Sequence, residues 1–226
     1  MVKHDINIKN EKKLRILAAA GKMFAEKGYH KTTIEDIAKA AGIGKSTFYE
    51  YYESKEEILK FIVDLASEYF LGVMLNQTRN CSSAKEKIKH IVYCSLLISG
   101  LHSDTMNLFC SLLMDNALRD FSEYFRDKFW NVFERLVSNI FIDAMNSGDI
   151  EEDDADALVY MFLGMVVGSM HNMCDKCCFD KPKNFMMQEI NIEDLISSPE
   201  NLPQHRMFLD NAEKITDMLW NGIAKR

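Results

Sequence analysis

Between residues 32 and 59 the chain reads TTIEDIAKAAGIGKSTFYEYYESKEEIL, where ammonium, hydroxyl and phenol groups crowd around a corner of small residues. Lys45, Ser46, Thr47 and Tyr49 follow the corner, Thr32 and Thr33 precede it, and Lys55 stands just beyond. Donors of these types hold phosphate oxygens, and a helix N-terminus adds unpaired amides and a favourable dipole. Glu50 is the exception among them. Its carboxylate repels phosphate and suits solvent, although it can accept from a cytosine amino group.

A second constellation, His171, Cys174, Cys177 and Cys178, reads His-x2-Cys-x2-Cys-Cys. On a continuous helix His171, Cys174 and Cys178 share a face, and thiolates with one imidazole suit zinc or another thiophilic metal. The same thiols, with Lys176 favouring thiolate, could instead oxidise reversibly. Ordinary reduced thiols at a helix end are the third reading, and the spacing leaves all three open. His90 and His102 read as isolated, structural or exposed. There is no catalytic pair of carboxylates, no phosphate-cradling glycine loop and no nucleophile with an evident base, so an enzyme is not expected and no resident cofactor is implied. A helical metalloenzyme working through His171 and the cysteines, or a protein-binding module, are the remote rivals.

The elements that must position the first group are helices. Leu14, Leu17, Ala18, Gly21, Phe24 and Ala25 fall on one face of a first helix between an Asn10 cap and a Gly28 stop. Thr32-x-x-Glu35 reads as a capping box opening a short second helix that ends at Gly42. Gly42 can take the left-handed conformation a tight corner needs, and a third short helix then runs over 45–51. Two short helices joined in this way make a helix-turn-helix, whose second member enters a major groove with its N-terminal residues toward base edges. Phe48 and Tyr52 are expected to pack inward. Ser54-x-x-Glu57 and Ser83-x-x-Glu86 cap a fourth and a fifth helix, to about 75 and over 84–100.

Composition agrees with an all-α chain. Of 226 residues only 3 are proline and 10 glycine, while 47% are hydrophobic. The first 60 residues carry 12 Lys and Arg against 9 Asp and Glu, whereas the whole chain has a net charge of −7. A mildly basic head on an acidic body suits a chain that meets a polyanion at one end. No secretion signal and no transmembrane span are expected, since the most apolar stretch, 158–170, is shorter than the roughly 20 residues a bilayer needs. A cytoplasmic location follows.

The opening stretch resembles the tetracycline-repressor (TetR) family of bacterial transcriptional regulators. The resemblance rests on Phe24-Ala25-Glu26-Lys27-Gly28-Tyr29, Thr32-Thr33-Ile34-Glu35-Asp36-Ile37-Ala38, Ala41-Gly42 and the run from Tyr49 through Lys55 to Ile58. It covers about residues 10–60. It implies DNA contacts by Thr33, Lys45, Thr47, Tyr49 and Lys55, mostly to phosphates. Three positions depart from the family pattern: Gly44 where a capping Ser is frequent, Ser46 where Gly is frequent, and Tyr52 for the usual Phe.

The resulting expectation is an N-terminal helix-turn-helix domain over 1–54, joined by helix 4 to a larger helical effector-binding and dimerisation domain over 55–226. Stretches at 104–118 and 120–146 read as the sixth and seventh helices, and 179–204 as a long loop. The eighth helix, about 154–174, is apolar on every side over 158–170, and Gly164 and Gly168 on one face would admit a close neighbour. The ninth, about 205–224, carries Phe208, Ala212, Ile215, Leu219 and Ile223 as a stripe. The surplus apolar surface predicts a homodimer through the eighth and ninth helices. The resemblance further implies a small-molecule pocket within helices 5–8. Phe109, Met114, Trp130, Met161 and Met165 are candidates to line it, for an apolar or aromatic effector. Double-stranded operator DNA would be the other partner, bound as a repressor and released by the effector.

Overall fold

The computed structural model describes residues 11–101, 119–176 and 205–223. The stretch at 104–118, the loop at 179–204, Phe109, Met114, Cys177, Cys178 and the side chains of His171 and Cys174 lie outside the described residues. Within these limits every element is helical and no strand occurs. The helices are α1 Glu11–Lys27, α2 Ile34–Ala40, α3 Lys45–Tyr49, α4 Lys55–Thr78, α5 Ala84–Leu101, α6 Arg119–Phe125, α7 Asn131–Ser147, α8 Ala155–Lys176 and α9 His205–Ile223. The chain divides into two compact units, the first holding α1 to α3 and the start of α4 through Leu65, the second taking up at Ala66.

In the first unit the apolar stripe of α1 supplies Ile16, Leu17, Ala20 and Phe24 to a core completed by Ile37, Phe48, Tyr52, Ile58 and Ile62, all buried. Gly28 stops α1 with a left-handed φ of 83°. The second helix opens one residue later than its sequence suggests. Thr33, not Thr32, is the N-cap: its hydroxyl accepts from the Asp36 N–H, and Asp36 accepts in return from the Thr33 N–H. Thr32 is unavailable as a cap because its hydroxyl donates to the carbonyls of Gly28 and Met23 at 2.8 and 3.1 Å.

The corner between α2 and α3 turns on Gly42, with φ 68°. A Cβ there would stand 3.2 Å from Nη2 of Arg15, the atom that donates to the Ala41 carbonyl at 2.7 Å. Gly42→Ala is therefore expected to lower stability by about 1–2 kcal/mol from left-handed strain alone, read as a lower midpoint in urea unfolding. An unchanged midpoint would show that the corner relaxes without cost.

In the second unit the helix buried on all sides is α5, where Ile91, Val92, Cys94, Leu96, Leu97 and Ile98 are all enclosed. It packs against α7, α8 and α9. The eighth helix, read from the sequence as apolar on every side with its surplus facing a partner chain, buries Leu158, Val159, Phe162 and Val166 and leaves Tyr160, Met161 and Val167 at least half exposed. The stripe of α9 is buried within its own chain through Phe208, Ala212, Ile215 and Leu219. Residues 120–146, read as one helix, are interrupted by a π-helical turn at Arg126–Trp130, with Phe129 stacked on Phe133 at 5.7 Å. No helix among the described residues is long and apolar enough to cross a membrane.

Candidate nucleic-acid interface

The corner presents α3 by holding its one buried face. Phe48 is 0% exposed and its ring meets Tyr49 edge-on at 5.5 Å and Tyr52 at 6.2 Å. Tyr52, also buried, donates through its hydroxyl to the Lys13 carbonyl at 3.3 Å, while the Lys13 ammonium lies 5.4 Å from its ring centroid. Burial pushes the Tyr52 phenol well above its ordinary range, so it stays neutral. With Phe48 inside, the remaining side chains of this short helix point outward. Lys45, Ser46, Tyr49 and Glu50 are exposed and Thr47 is half-buried.

Lys45 and Tyr49 are one turn apart and therefore neighbours on the surface. The Lys45 ammonium is paired with Glu35 of α2, which raises the lysine and lowers the carboxyl from their ordinary values through that hydrogen bond. Lys27 pairs with Asp36 at 2.6 Å, and Asp36 is held well below the usual carboxylate range by Lys27 and by the Thr33 N–H and hydroxyl. Such exposed pairs are weak in water, so a phosphate can take over the ammonium at small cost.

Thr33 is exposed at the start of α2. Thr32 is 1% exposed with its hydroxyl turned into the turn after α1, so in this conformation the side chain is structural and unavailable to a ligand. Lys55, at the start of α4, donates to the carbonyls of Tyr29 and Thr32 at 3.0 and 3.2 Å, with its ammonium 4.4 Å from the Tyr29 ring centroid. Two of its three donors are thus committed to the turn. Tyr29 is itself fixed by donating to Glu56 at 2.8 Å, and burial and that carboxylate together raise its pKa. The clamp formed by Arg15, Tyr29, Lys55 and Glu56 escapes pattern reading because its partners are backbone carbonyls or lie 26 and 27 positions apart. Of the predicted contacts, Thr33, Lys45, Ser46 and Tyr49 are exposed and Thr47 is half-buried.

The candidates for the second unit do not converge. Met161 is 58% exposed on the outer face of α8, away from any interior, while Trp130 and Met165 are half-buried. Ser67 and Ser99 are buried with hydroxyls that have no hydrogen-bond partner among the described residues. Such hydroxyls could orient a largely apolar ligand.

Residues 16–62 match the family model described as bacterial regulatory proteins, tetR family. The chain is similar to an uncharacterized HTH-type transcriptional regulator, YerO, of Bacillus subtilis (strain 168), 29% identical over 191 residues covering 80% of this chain. It spans 61% of that regulator's length. Among solved structures, the fatty acid degradation regulator FadR from Bacillus halodurans superposes with a TM-score of 0.70 at 17% identity, over 96% of this chain and 98% of that one. FadR from Bacillus subtilis, solved in complex with stearoyl-CoA, gives a TM-score of 0.65 at 21% identity over 93% and 98%. These likenesses extend the shared fold across both units.

Proposed function

Because this chain belongs to the TetR family of bacterial regulatory proteins, we propose that it is a DNA-binding transcriptional regulator, not an enzyme. It acts in the cytoplasm as a homodimeric repressor on a two-fold symmetric operator. Residues 1–54 form the DNA-reading domain and 55–226 the effector-binding and dimerisation domain. The observation that carries the reading is the outward row of Lys45, Ser46, Thr47 and Tyr49 on a helix pinned by buried Phe48. Thr33 stands exposed at the start of α2, where its hydroxyl would have to exchange the Asp36 carboxylate for a phosphate. Lys55 contributes the donor its two carbonyl bonds leave over.

A dimer is supported by the outer face of α8. Tyr160, Met161, Gly164, Val167 and Gly168 recur at helical spacing and are exposed, and a Cβ added at either glycine would meet nothing within 4 Å among the described residues. Another helix can approach there. Two-fold symmetry in the protein then asks for two-fold symmetry in the DNA.

The effector we propose is a small molecule with a long apolar part, an acyl-CoA being the best supported class. That choice leans on the likeness to the stearoyl-CoA-bound regulator and on the buried, unpartnered hydroxyls of Ser67 and Ser99. Its action is a population shift, in which an effector that prefers the non-DNA conformation weakens operator binding by its differential affinity.

Selection from a random duplex library tests the reading. Enriched sites are expected to be palindromic, with half-site centres roughly 34–36 Å apart. If six to ten phosphates are neutralised, affinity should fall by about 10³–10⁵ between 50 and 200 mM salt. A library that yields no motif, with binding indifferent to salt, would overturn the proposal.

A further inference from the structure

The turn between α4 and α5 gathers three metal-binding side chains that no part of the DNA reading uses. Cys81 lies in that turn, with its N–H donating to the Thr78 carbonyl at 3.3 Å. Glu86 and His90 follow one helical turn apart on α5, so both project from the same face. The cysteine sulfur, a Glu86 carboxylate oxygen and a His90 ring nitrogen all lie within 4.8 Å of one another, and all three residues are half-buried. We propose that Cys81, Glu86 and His90 bind one exchangeable thiophilic divalent cation, zinc fitting the donor set best.

The geometry is close to what zinc needs. Bonds of about 2.0–2.3 Å in a tetrahedron put ligand atoms roughly 3.3–3.8 Å apart, so a contraction of about 1 Å completes the site. Cys81 can supply much of that movement, because it belongs to a turn and its sulfur is held only by a bond to the Gln77 carbonyl at 3.3 Å. Glu86 is already oriented: its Oε2 accepts from the Ser82 N–H at 2.8 Å and hydroxyl at 3.0 Å, leaving Oε1 to face the metal. Ligating carboxylates are commonly fixed by such outer hydrogen bonds.

The charges agree. One thiolate and one carboxylate neutralise a dication, and a neutral imidazole completes the donor set. Metal binding displaces the Cys81 thiol proton. Cys94, by contrast, is fully enclosed in α5. Three protein ligands leave a fourth position for water, the arrangement of an open site and not of a closed structural one. The site stands whether or not the DNA reading holds.

The test uses the full chain with Cys174→Ser, Cys177→Ser and Cys178→Ser, so that the other cysteine cluster cannot contribute. Stripped of metal and kept under a non-thiol reductant, it is titrated with Zn²⁺ against a chromophoric chelator and with Co²⁺ by absorbance. One equivalent should bind, with a sulfur-to-cobalt band in the near ultraviolet. Cys81→Ser should abolish the band and weaken zinc binding by more than about 100-fold, the upper end of what outer-sphere changes cost. His90→Gln should weaken zinc comparably but keep a thiolate band, and Cys94→Ala should change neither. Absence of a bound equivalent in the triple-serine background, or zinc affinity unaltered by either Cys81→Ser or His90→Gln, would overturn the proposal. The His90→Gln arm decides the matter should Cys81→Ser fail to fold.

Discussion

Phe48→Ala is expected to lower the stability of the first unit by about 3–5 kcal/mol, the cost of emptying a fully buried aromatic site, and to abolish specific DNA binding with it. The ring is 0% exposed and touches both Tyr49 and Tyr52, so its removal leaves a cavity directly beneath the row of proposed contacts. A helix of five residues cannot hold its own shape, because isolated helices shorter than about 12–15 residues are marginal in water. Urea unfolding monitored by circular dichroism gives the magnitude. Phe48→Leu, which keeps most of the volume, should cost clearly less and retain binding. Equal midpoints for wild type and Phe48→Ala would mean that something other than this ring anchors α3.

The second large effect concerns contact and not folding. Lys45→Ala and Tyr49→Ala should each weaken operator affinity by about 10- to 100-fold, or 1–3 kcal/mol, while unfolding midpoints stay within about 0.5 kcal/mol, as for surface substitutions in general. Lys45→Ala should also reduce the slope of log affinity against log salt by about 1 if the ammonium meets a phosphate. Glu35→Gln should move the other way, tightening binding by no more than about fivefold, since it frees Lys45 from a pair that is weak in water. Titrations at three salt concentrations resolve all of these. Unaltered affinity in both alanine variants would remove α3 from the interface.

The helical class, the order of the elements and the inward turn of Phe48 and Tyr52 are legible in the residue pattern, because periodicity and caps are local signals. The cap at the start of α2 is displaced by one residue because Thr32 and Thr33 compete, and the nearby carbonyls of Gly28 and Met23 capture the first hydroxyl. The central place of α5 is not legible in this way. Both α5 and α8 are strongly apolar, and which of them is enclosed within the chain depends on the neighbours the topology supplies. The π turn at 126–130 leaves the apolar pattern intact and so gives no sequence signal. His90 reads as isolated because the one thiol of its cluster, Cys81, stands across a helix boundary. In hindsight, Cys81, Glu86 and His90 at spacings of five and four residues are a usable signal, since the last two must share a face.

On the proposed DNA-binding reading, the pairing of Lys27 with Asp36 and of Lys45 with Glu35 has a consequence for the speed of encounter with DNA. Seen from beyond a Debye length of about 8–10 Å, each pair is close to neutral, so the head projects little more than a weak field toward a distant duplex. The acidic remainder of the chain opposes even that. Steering, which can raise association rates by 10- to 1,000-fold for strongly charged clefts, is therefore small here, and arrival is governed by ordinary diffusion and orientation. The ammonium groups exchange carboxylate for phosphate only on contact, after the search is over. Discrimination between operator and bulk DNA then resides in how long the protein stays, not in how quickly it arrives.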